Sequence, residues 1–378
     1  SFDYDLAENI QISVSGYHYK DTANTVVNRV LSEFPVGSLG PFINYYDVNG
    51  AGLNVTVRDP FKISSNAPIN QFDEVKGGSI DFDWSLDSLV FRSLSSYTND
   101  HKLSSLESDG SDVVEQEEHD DVLYETFTQE FQLLSNPESE TQWIVGLFYY
   151  DERSVKDTRI VFDSLFDPAG DLTLFLSNQN IDAQSLGAFG QVDYPLTDKL
   201  NLIVGLRYNE DEKTKFERGF NNAFPGGMTP EGDFVVRVDE NNNWSQVSGK
   251  LGLDYHMSED VMVYMSYSTG YKSGGFNSDS QIQSYDPEEV KAYEVGAKSQ
   301  WADNRLQANV SAFYYDYTDK QELRRDEFGL ILINAAEATS QGIEIELVAN
   351  PMPDLSIDTT ISYLKAEYDD FTSIDVAN

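Results

Sequence analysis

Acidic side chains and a histidine crowd one short stretch of this sequence, and carboxylate oxygens are the ligands that Ca²⁺ prefers. The group comprises Glu115, Glu117, Glu118, His119, Asp120 and Asp121. The surrounding segment 100–123 holds nine acidic residues against one lysine. Because the spacing is not that of an EF-hand, we interpret the segment as a solvated, charged loop and predict no metal site, with Ca²⁺ binding as the alternative.

Other residue types that carry chemistry are sparse. None of the four histidines, His18, His101, His119 and His256, is near another at zinc-ligand spacing. The sequence has no Gly-Xaa-Ser-Xaa-Gly elbow or phosphate loop, and no carboxylate pair stands out for glycoside hydrolysis. We therefore predict that the protein is not an enzyme and has no cofactor. Haem ligation by His101 or His119 remains an alternative.

The elements that would position any site are strands, because apolar and polar residues alternate with a period of two. One apolar series is Leu306, Ala308, Val310, Ala312 and Tyr314, and similar series occupy 127–133, 251–255 and 355–363. Fourteen strands are predicted near 1–5, 9–20, 78–86, 89–99, 124–134, 141–152, 183–195, 199–211, 244–256, 261–271, 289–301, 304–318, 339–350 and 353–368. No helical periodicity of any length is present, so the fold class is all-β.

The connections between these strands alternate strictly in length. Short turns rich in Asn, Asp, Pro and Ser alternate with long connections at 21–77, 100–123, 153–182, 212–243, 272–288 and 319–338. Such an alternation is typical of an outer-membrane barrel, with short periplasmic turns and long extracellular loops. We expect an antiparallel, transmembrane, up-and-down β-barrel, whose sheet must close because hydrocarbon does not tolerate unpaired edges.

Composition excludes several other classes. The chain has 378 residues, 65 acidic against 25 basic side chains and no cysteine, so neither a nucleic-acid partner nor a disulfide framework is expected. The longest apolar run, at 143–150, is far shorter than the ~20 residues of a transmembrane helix. The first residues lack the basic start and apolar core of a signal peptide, which suggests a fragment.

Ordered motifs then identify a family. The segment Tyr264–Asn277, with its Gly-Tyr-Lys-Ser-Gly-Gly-Phe-Asn ending, resembles a strand-to-loop signature of TonB-dependent receptors. It is followed by Asp286-Pro287-Glu288, by Tyr293–Lys298 and by the segment Asn334–Glu344, in the order that this family shows. The resemblance covers about 124–368.

The resemblance implies a barrel of about 22 strands plugged by an N-terminal domain. Residues 1–378 would then be one partial outer-membrane barrel domain, with about 14 strands present and the plug and C-terminal strands missing. It also implies energy-coupled uptake of a scarce solute, favouring an iron–siderophore complex, with oligosaccharide, cobalamin or haem as alternatives. The implied partners are outer-membrane lipid and lipopolysaccharide, the solute, and a periplasmic energy-transducing protein. A passive porin and a soluble β-protein remain the competing classes.

Two interpretations of the glycine-rich motif stay open. Gly270, Gly274 and Gly275 would permit tight backbone geometry, which is a structural role. Alternatively, Tyr271, Lys272 and Asn277 would contact the substrate directly, and these three are the predicted binding residues. Inside the barrel, Lys250, Asp254, Glu294 and Lys298 are expected to form charge networks on the face that, in the family, meets the plug.

Overall fold

Every regular element in the described part of the protein is a strand. The computed structural model describes residues 2–23, 71–107, 116–162, 172–220, 234–277, 284–303, 305–325 and 330–371. Across these ranges, no helix is long and apolar enough to cross a membrane.

Sixteen strands are formed by the described residues. They are β1 (Phe2–Ala7), β2 (Ile10–Ala23), β3 (Gln71–Ser85), β4 (Leu89–Glu107), β5 (Gln116–Ser135), β6 (Gln142–Phe162), β7 (Leu172–Thr197), β8 (Leu200–Phe220), β9 (Phe234–Ser258), β10 (Val261–Lys272), β11 (Gly275–Phe276), β12 (Ser284–Tyr285), β13 (Glu288–Trp301), β14 (Leu306–Arg325), β15 (Leu330–Met352) and β16 (Leu355–Phe371).

The strands form one large antiparallel sheet in chain order. Fourteen of them, all except β11 and β12, follow one another in the sheet, and β11 pairs with β12 in a separate two-stranded ribbon. Each long strand therefore pairs with its neighbours in the sequence, which confirms the predicted up-and-down topology. In the part of the chain that is described, β1 and β16 are the two edges of the sheet.

The sheet has one apolar face, here called the outer face. In β10, Val263, Met265 and Tyr267 point to this face and lie opposite Ala297, Val295 and Tyr293 of β13. Met265 is 58% exposed and Val295 is 57% exposed, although both are large and apolar. The predicted apolar series in β5, β9, β14 and β16 lie on the same face by register. An apolar belt that no other part of the described chain covers suits the hydrocarbon of a bilayer.

The opposite, inner face carries the polar side chains. Tyr264 of β10 donates a hydrogen bond of 2.5 Å to Glu294, and the Lys298 ammonium lies 5.8 Å from the Tyr264 ring centroid. Register places Asp254 opposite Tyr264, and Lys250 opposite Ser268, on this same face. Lys250, Asp254, Glu294 and Lys298 therefore share the inner face, whereas the charge network expected among them stays a prediction.

The strands extend well beyond the predicted bounds at the end that bears the long connections. β4 continues to Glu107 and β5 begins at Gln116, so most of the predicted loop 100–123 is strand. Likewise, much of 153–182, 212–243 and 319–338 is strand. The alternation of apolar and polar residues ends at the apolar belt, because both faces are polar beyond it, whereas the backbone ladder continues.

Candidate functional site

The glycine-rich motif folds over the inner face of the sheet. Pairing between β10 and β9 ends at Ser268, opposite Lys250, whereas pairing between β10 and β13 continues to Lys272. Beyond Lys272, the segment Ser273–Asn277, here called the strap, bonds to side chains of β8 and β14 and to the backbone of β15. It thus bridges strands that are not neighbours in the sheet.

Two lysines of β8 hold the first side of the strap. The ammonium of Lys213 donates to the Ser273 hydroxyl at 2.8 Å and to the Gly274 carbonyl at 2.7 Å. The ammonium of Lys215 donates to the Asn277 carbonyl at 2.5 Å. Both lysines lie on the same face of β8, two positions apart, so one strand supplies two cationic donors to the strap backbone.

The second lysine belongs to a buried ion pair. The Lys215 side chain is 0% exposed and forms an ion pair of 2.5 Å with Glu217, which is 1% exposed. Glu217 also accepts hydrogen bonds from Ser177, at 3.1 Å, and from Gln179, at 3.4 Å, both on β7. A buried charge costs free energy unless it is paired and hydrogen-bonded, and this pair meets both conditions.

The far side of the strap is held by an asparagine. The Asn277 amide donates to the Leu332 carbonyl and accepts from the Leu332 N–H, each at 2.7 Å. Gln321 of β14 donates to the carbonyls of Ser273 and Asp286, each at 3.0 Å. Asn277 is 8% exposed, so its side chain mainly serves this junction.

The other family motifs meet at the same junction. The Asn334 side chain donates to the carbonyls of Asp286 and Asp319, each at 2.8 Å, and accepts from the Asp286 N–H at 2.7 Å. Glu288 accepts the backbone N–H of Gln321 at 2.8 Å. Motifs that are separated in the sequence therefore form one hydrogen-bonded unit.

Close packing requires a glycine at position 274 of the strap and leaves little room for a side chain at position 275. A Cβ atom on Gly274 would lie 2.6 Å from the Trp244 ring and would also collide with the Tyr285 carbonyl. A Cβ atom on Gly275 would collide with the Tyr285 hydroxyl. Phe276 packs on the other side of this cluster, with its ring centroid 6.5 Å from that of Trp244. The structural interpretation of these glycines thus has a direct steric basis.

The three predicted binding residues have different surroundings. The Tyr271 hydroxyl donates to the carboxylate of Asp211, and Asn277 holds the junction with Leu332. Lys272 is exposed and lies opposite Glu288 in register. Direct substrate contact by Tyr271, Lys272 and Asn277 stays a prediction.

Electrostatics at the strap follow from burial and from neighbouring charges. Burial lowers the pKa of Lys213; Asp211 and Glu152 oppose this shift, while Lys272 adds to it. Burial also raises the pKa of Tyr285, whose carbonyl and ring pack against the strap glycines. Because the charge of Lys272 lowers the pKa of Lys213, the two ammonium groups are close enough to repel each other.

The acidic group predicted to be a loop is in fact part of β5. In the described portion, Glu117 to Asp121 pair with β6 and β4, while Glu115 lies outside the described residues. Burial, followed by the charge of Asp120, raises the pKa of Glu118. His119 bonds to Ser105 and Glu117. Among the described residues, no cluster of His, Asp and Glu could hold a metal ion.

Sequence reasoning missed the residues that hold the strap. Lys213, Lys215 and Glu217 fall within the predicted loop 212–243, and Trp244 was placed at a strand end without a role. The available signal was charge at alternate positions, which indicates one face of a strand even where no apolar residues alternate with them. No local feature of the sequence marks Gln321 and Leu332, which bond to the strap from β14 and β15.

Long antiparallel strands in chain order, an apolar outer face, a polar inner face and short turns at one end define a transmembrane β-barrel protein. A family model described as TonB dependent receptor-like, beta-barrel, matches residues 3–378. The chain belongs to this family of bacterial outer-membrane receptors.

Two curated relatives are 28% identical to this chain over the aligned residues, and both are longer than the chain. The chain is 28% identical over 193 residues to the pesticin receptor of Yersinia enterocolitica, which covers 49% of the chain and 26% of that relative. It is 28% identical over 296 residues to the ferric-pyoverdine 358 receptor of Pseudomonas putida, covering 72% of the chain and 34% of that relative. The chain thus spans about a quarter to a third of the length of these relatives.

Solved structures share the fold. The ferric yersiniabactin uptake receptor FyuA of Yersinia pestis superimposes with a TM-score of 0.75 at 18% identity, covering 96% of this chain and 50% of that one. The siderophore receptor PiuA of Acinetobacter baumannii superimposes with a TM-score of 0.69 at 16% identity, covering 100% of this chain and 57% of that one. At these identities the likeness concerns the fold alone.

Proposed function

We propose that this chain is wall and outer-loop sequence of a receptor that imports an iron–siderophore complex across the outer membrane. The observation that carries the proposal is the similarity, over 72% of the chain, to a receptor named for ferric pyoverdine.

The strap marks where the wall would meet the solute. It lies on the inner face, beyond the apolar belt, at the end of the strands that carries the long connections. Lys272 is exposed directly before the strap, Tyr271 precedes Lys272, and Asn277 is the last residue of the strap. We propose Lys272 as the direct solute contact and Tyr271 and Asn277 as residues that shape its surroundings.

The proposed partners follow from the family. Energy for uptake would come from an inner-membrane complex through a periplasmic energy-transducing protein. The apolar outer face would contact outer-membrane lipid, and the strand ends beyond it would contact lipopolysaccharide. The proposed role is that of a transporter, with no enzymatic step.

Uptake by the full-length receptor tests this function. A strain lacking the gene is grown under iron limitation, and uptake of radioactive iron is measured with catecholate, hydroxamate and phenolate siderophores. We expect loss of uptake for one siderophore class and recovery on complementation. Selective loss of growth on cobalamin, haem or oligosaccharide would instead assign another solute, and unselective leakage would indicate a porin.

A single substitution tests the contact at Lys272. Because a direct charged contact contributes about 1.5–3 kcal/mol, Lys272→Ala is expected to weaken binding by about tenfold or more. Lys76→Ala is the matched control, since Lys76 pairs with Glu74 at 2.7 Å on the outer face. Equal affinities of the two variants would remove Lys272 from the site.

A further inference from the structure

The strap links two distant parts of the sheet. It is bonded to β8 through Lys213 and Lys215 and to β15 through Leu332. Four strands of the sheet, β9, β10, β13 and β14, lie between β8 and β15. A segment of five residues thus fixes the relative position of strands that have no direct ladder contact.

We propose that the strap is a permanent clamp rather than a lid, and that Lys215 is its positioning residue. Lys215 acts by fixing the backbone of Asn277, and through the strap it fixes the exposed Lys272. The clamp itself follows from the contacts described above. Only the effect of Lys215 on solute affinity rests on the function proposed above.

Burial argues that the clamp stays closed. Opening it would separate Lys215 from the Asn277 carbonyl and would bring water to an ion pair that is 0% and 1% exposed. It would also remove both amide bonds between Asn277 and Leu332. Such an opening breaks several hydrogen bonds at once, whereas a lid needs a segment with few of them.

Packing argues in the same direction. Gly274 lies against the Trp244 ring and the Tyr285 carbonyl so closely that no side chain fits between them. Lys213, in turn, has its ammonium 5.9 Å from the Trp244 ring centroid. Strap, lysine and tryptophan therefore form one close-packed layer over β8 and β9.

The clamp holds Lys272 from both of its flanks. On one flank, the Ser273 hydroxyl accepts a hydrogen bond from Lys213, and the Ser273 carbonyl accepts one from Gln321. Across the ladder, Lys272 lies opposite Glu288, which is bonded to the Gln321 N–H. The backbone position of Lys272 at the end of β10 is thus set by contacts that converge on the strap.

Hydrogen–deuterium exchange of the full-length receptor in detergent tests the clamp directly. The Leu332 N–H donates to Asn277, so its exchange reports whether the strap is seated. We expect strong protection of this amide with or without ferric siderophore, and exchange at least about tenfold faster in Lys215→Met. Fast exchange in the native receptor, or protection that changes when siderophore binds, would overturn the clamp.

Binding measurements then test the positioning role. Lys215→Met is expected to weaken siderophore affinity by about tenfold, and Lys215→Arg, which keeps the charge and its donors, is expected to restore most of it. Lys365→Met is the control, because Lys365 pairs with Glu367 at a half-exposed site on β16. An unchanged affinity in Lys215→Met with a deprotected Leu332 amide would refute the positioning role.

Two further variants keep the test decisive. If Lys215→Met fails to reach the outer membrane, Lys215→Met combined with Glu217→Gln removes the buried carboxylate that has lost its lysine partner, and Asn277→Ala releases the strap from its other side. Both should deprotect the Leu332 amide; intact protection in both would overturn the clamp. If the native receptor binds no siderophore, the proposed function and the positioning role fail together, and exchange still decides the clamp.

Discussion

Charged side chains on the inner face of the sheet are arranged in two different ways. On the side of β8 to β15, the charged groups Lys213, Lys215 and Glu217 are bonded to the strap, to each other or to β7. On the side of β3 to β6, carboxyls face carboxyls: Asp73 lies beside Asp100, and Glu118 lies beside Asp120. On the strap side, charged groups bond to backbone carbonyls or to a group of opposite charge. On the side of β3 to β6, carboxyl groups lie next to other carboxyl groups.

The difference shows where rigidity and pH sensitivity are located. Lys102 and Lys156 each bind one member of an acid pair, Asp100 at 2.7 Å and Asp120 at 3.1 Å. Burial and the neighbouring carboxyl raise the pKa of the other member, Asp73 or Glu118. Asp73 and Glu118 therefore keep a proton to higher pH than isolated carboxyls do, whereas the strap side depends on steric fit and hydrogen bonds.

The largest effect is expected from filling the space at Gly274. Gly274→Ala places a methyl group 2.6 Å from Trp244, and the resulting overpacking should destabilise the folded receptor by about 3 kcal/mol. The measurement is the temperature at which the folded band is lost in a heat-modifiability gel. Gly16→Ala is the control, since its methyl group would lie 3.8 Å from the nearest atom. If both variants behave alike, steric fit does not distinguish the strap side.

A smaller effect is expected from replacing Asn334, whose side chain bonds to the backbone at Asp286 and Asp319. Asn334→Ala removes three hydrogen bonds of 2.7–2.8 Å to the backbone at Asp286 and Asp319, and should cost about 2 kcal/mol. Asn334→Asp keeps an acceptor for the Asp286 N–H but sets a carboxylate oxygen against the two carbonyl oxygens, and should cost more. Denaturant unfolding of the purified receptor measures both, and a smaller loss in Asn334→Asp than in Asn334→Ala would contradict this account.

On the side of β3 to β6, the pairing of carboxyl groups predicts that stability depends on pH. Because the pKa of Glu118 is raised above 4.5 in the folded protein, the folded state binds this proton more tightly than the unfolded chain. The contribution of Glu118 to stability therefore falls as pH rises from about 4.5 through the raised pKa. Glu118→Gln should reduce this fall in unfolding measurements between pH 4.5 and 8, and an unchanged pH profile would argue against the pair.

The smallest effect concerns a single pKa on the strap side. Lys272 lowers the pKa of Lys213, so Lys272→Met should raise it and leave stability almost unchanged. The reaction of Lys213 with an amine-acylating reagent, followed by peptide mass spectrometry, should then require a higher pH. A shift to lower pH would show that the two ammonium groups do not repel each other.

The part of the fold inside the bilayer was predictable from sequence because lipid imposes a simple pattern. Leu251, Leu253 and Tyr255 alternate with polar residues since only one face of β9 meets hydrocarbon. Beyond the belt both faces are polar, so Lys213 and Lys215 lie in no apolar alternation, and charge at alternate positions was the one strand signal they carried although their ladder continues.

The candidate site was predictable in part. The motif that ends in Asn277 identified the family and the end of a strand, but its partners did not follow from it. Asn277 bonds to Leu332, which is 55 positions away, and a contact at this distance leaves no trace in local spacing. The steric need for Gly274 likewise depends on Trp244, which a different strand supplies.

The strap also has a consequence for the order of assembly. Neighbouring strands are joined by short turns or long connections and pair only with each other, so the sheet can grow one hairpin at a time. The strap bonds instead join strands that are not neighbours in the sheet, over separations of 48 positions, from Ser273 to Gln321, to 62 positions, from Lys215 to Asn277. Closing such separations costs chain entropy that is recovered only once both strands are in place. We expect the strap to form last, so that a protected Leu332 amide marks a wall whose strands are all in register.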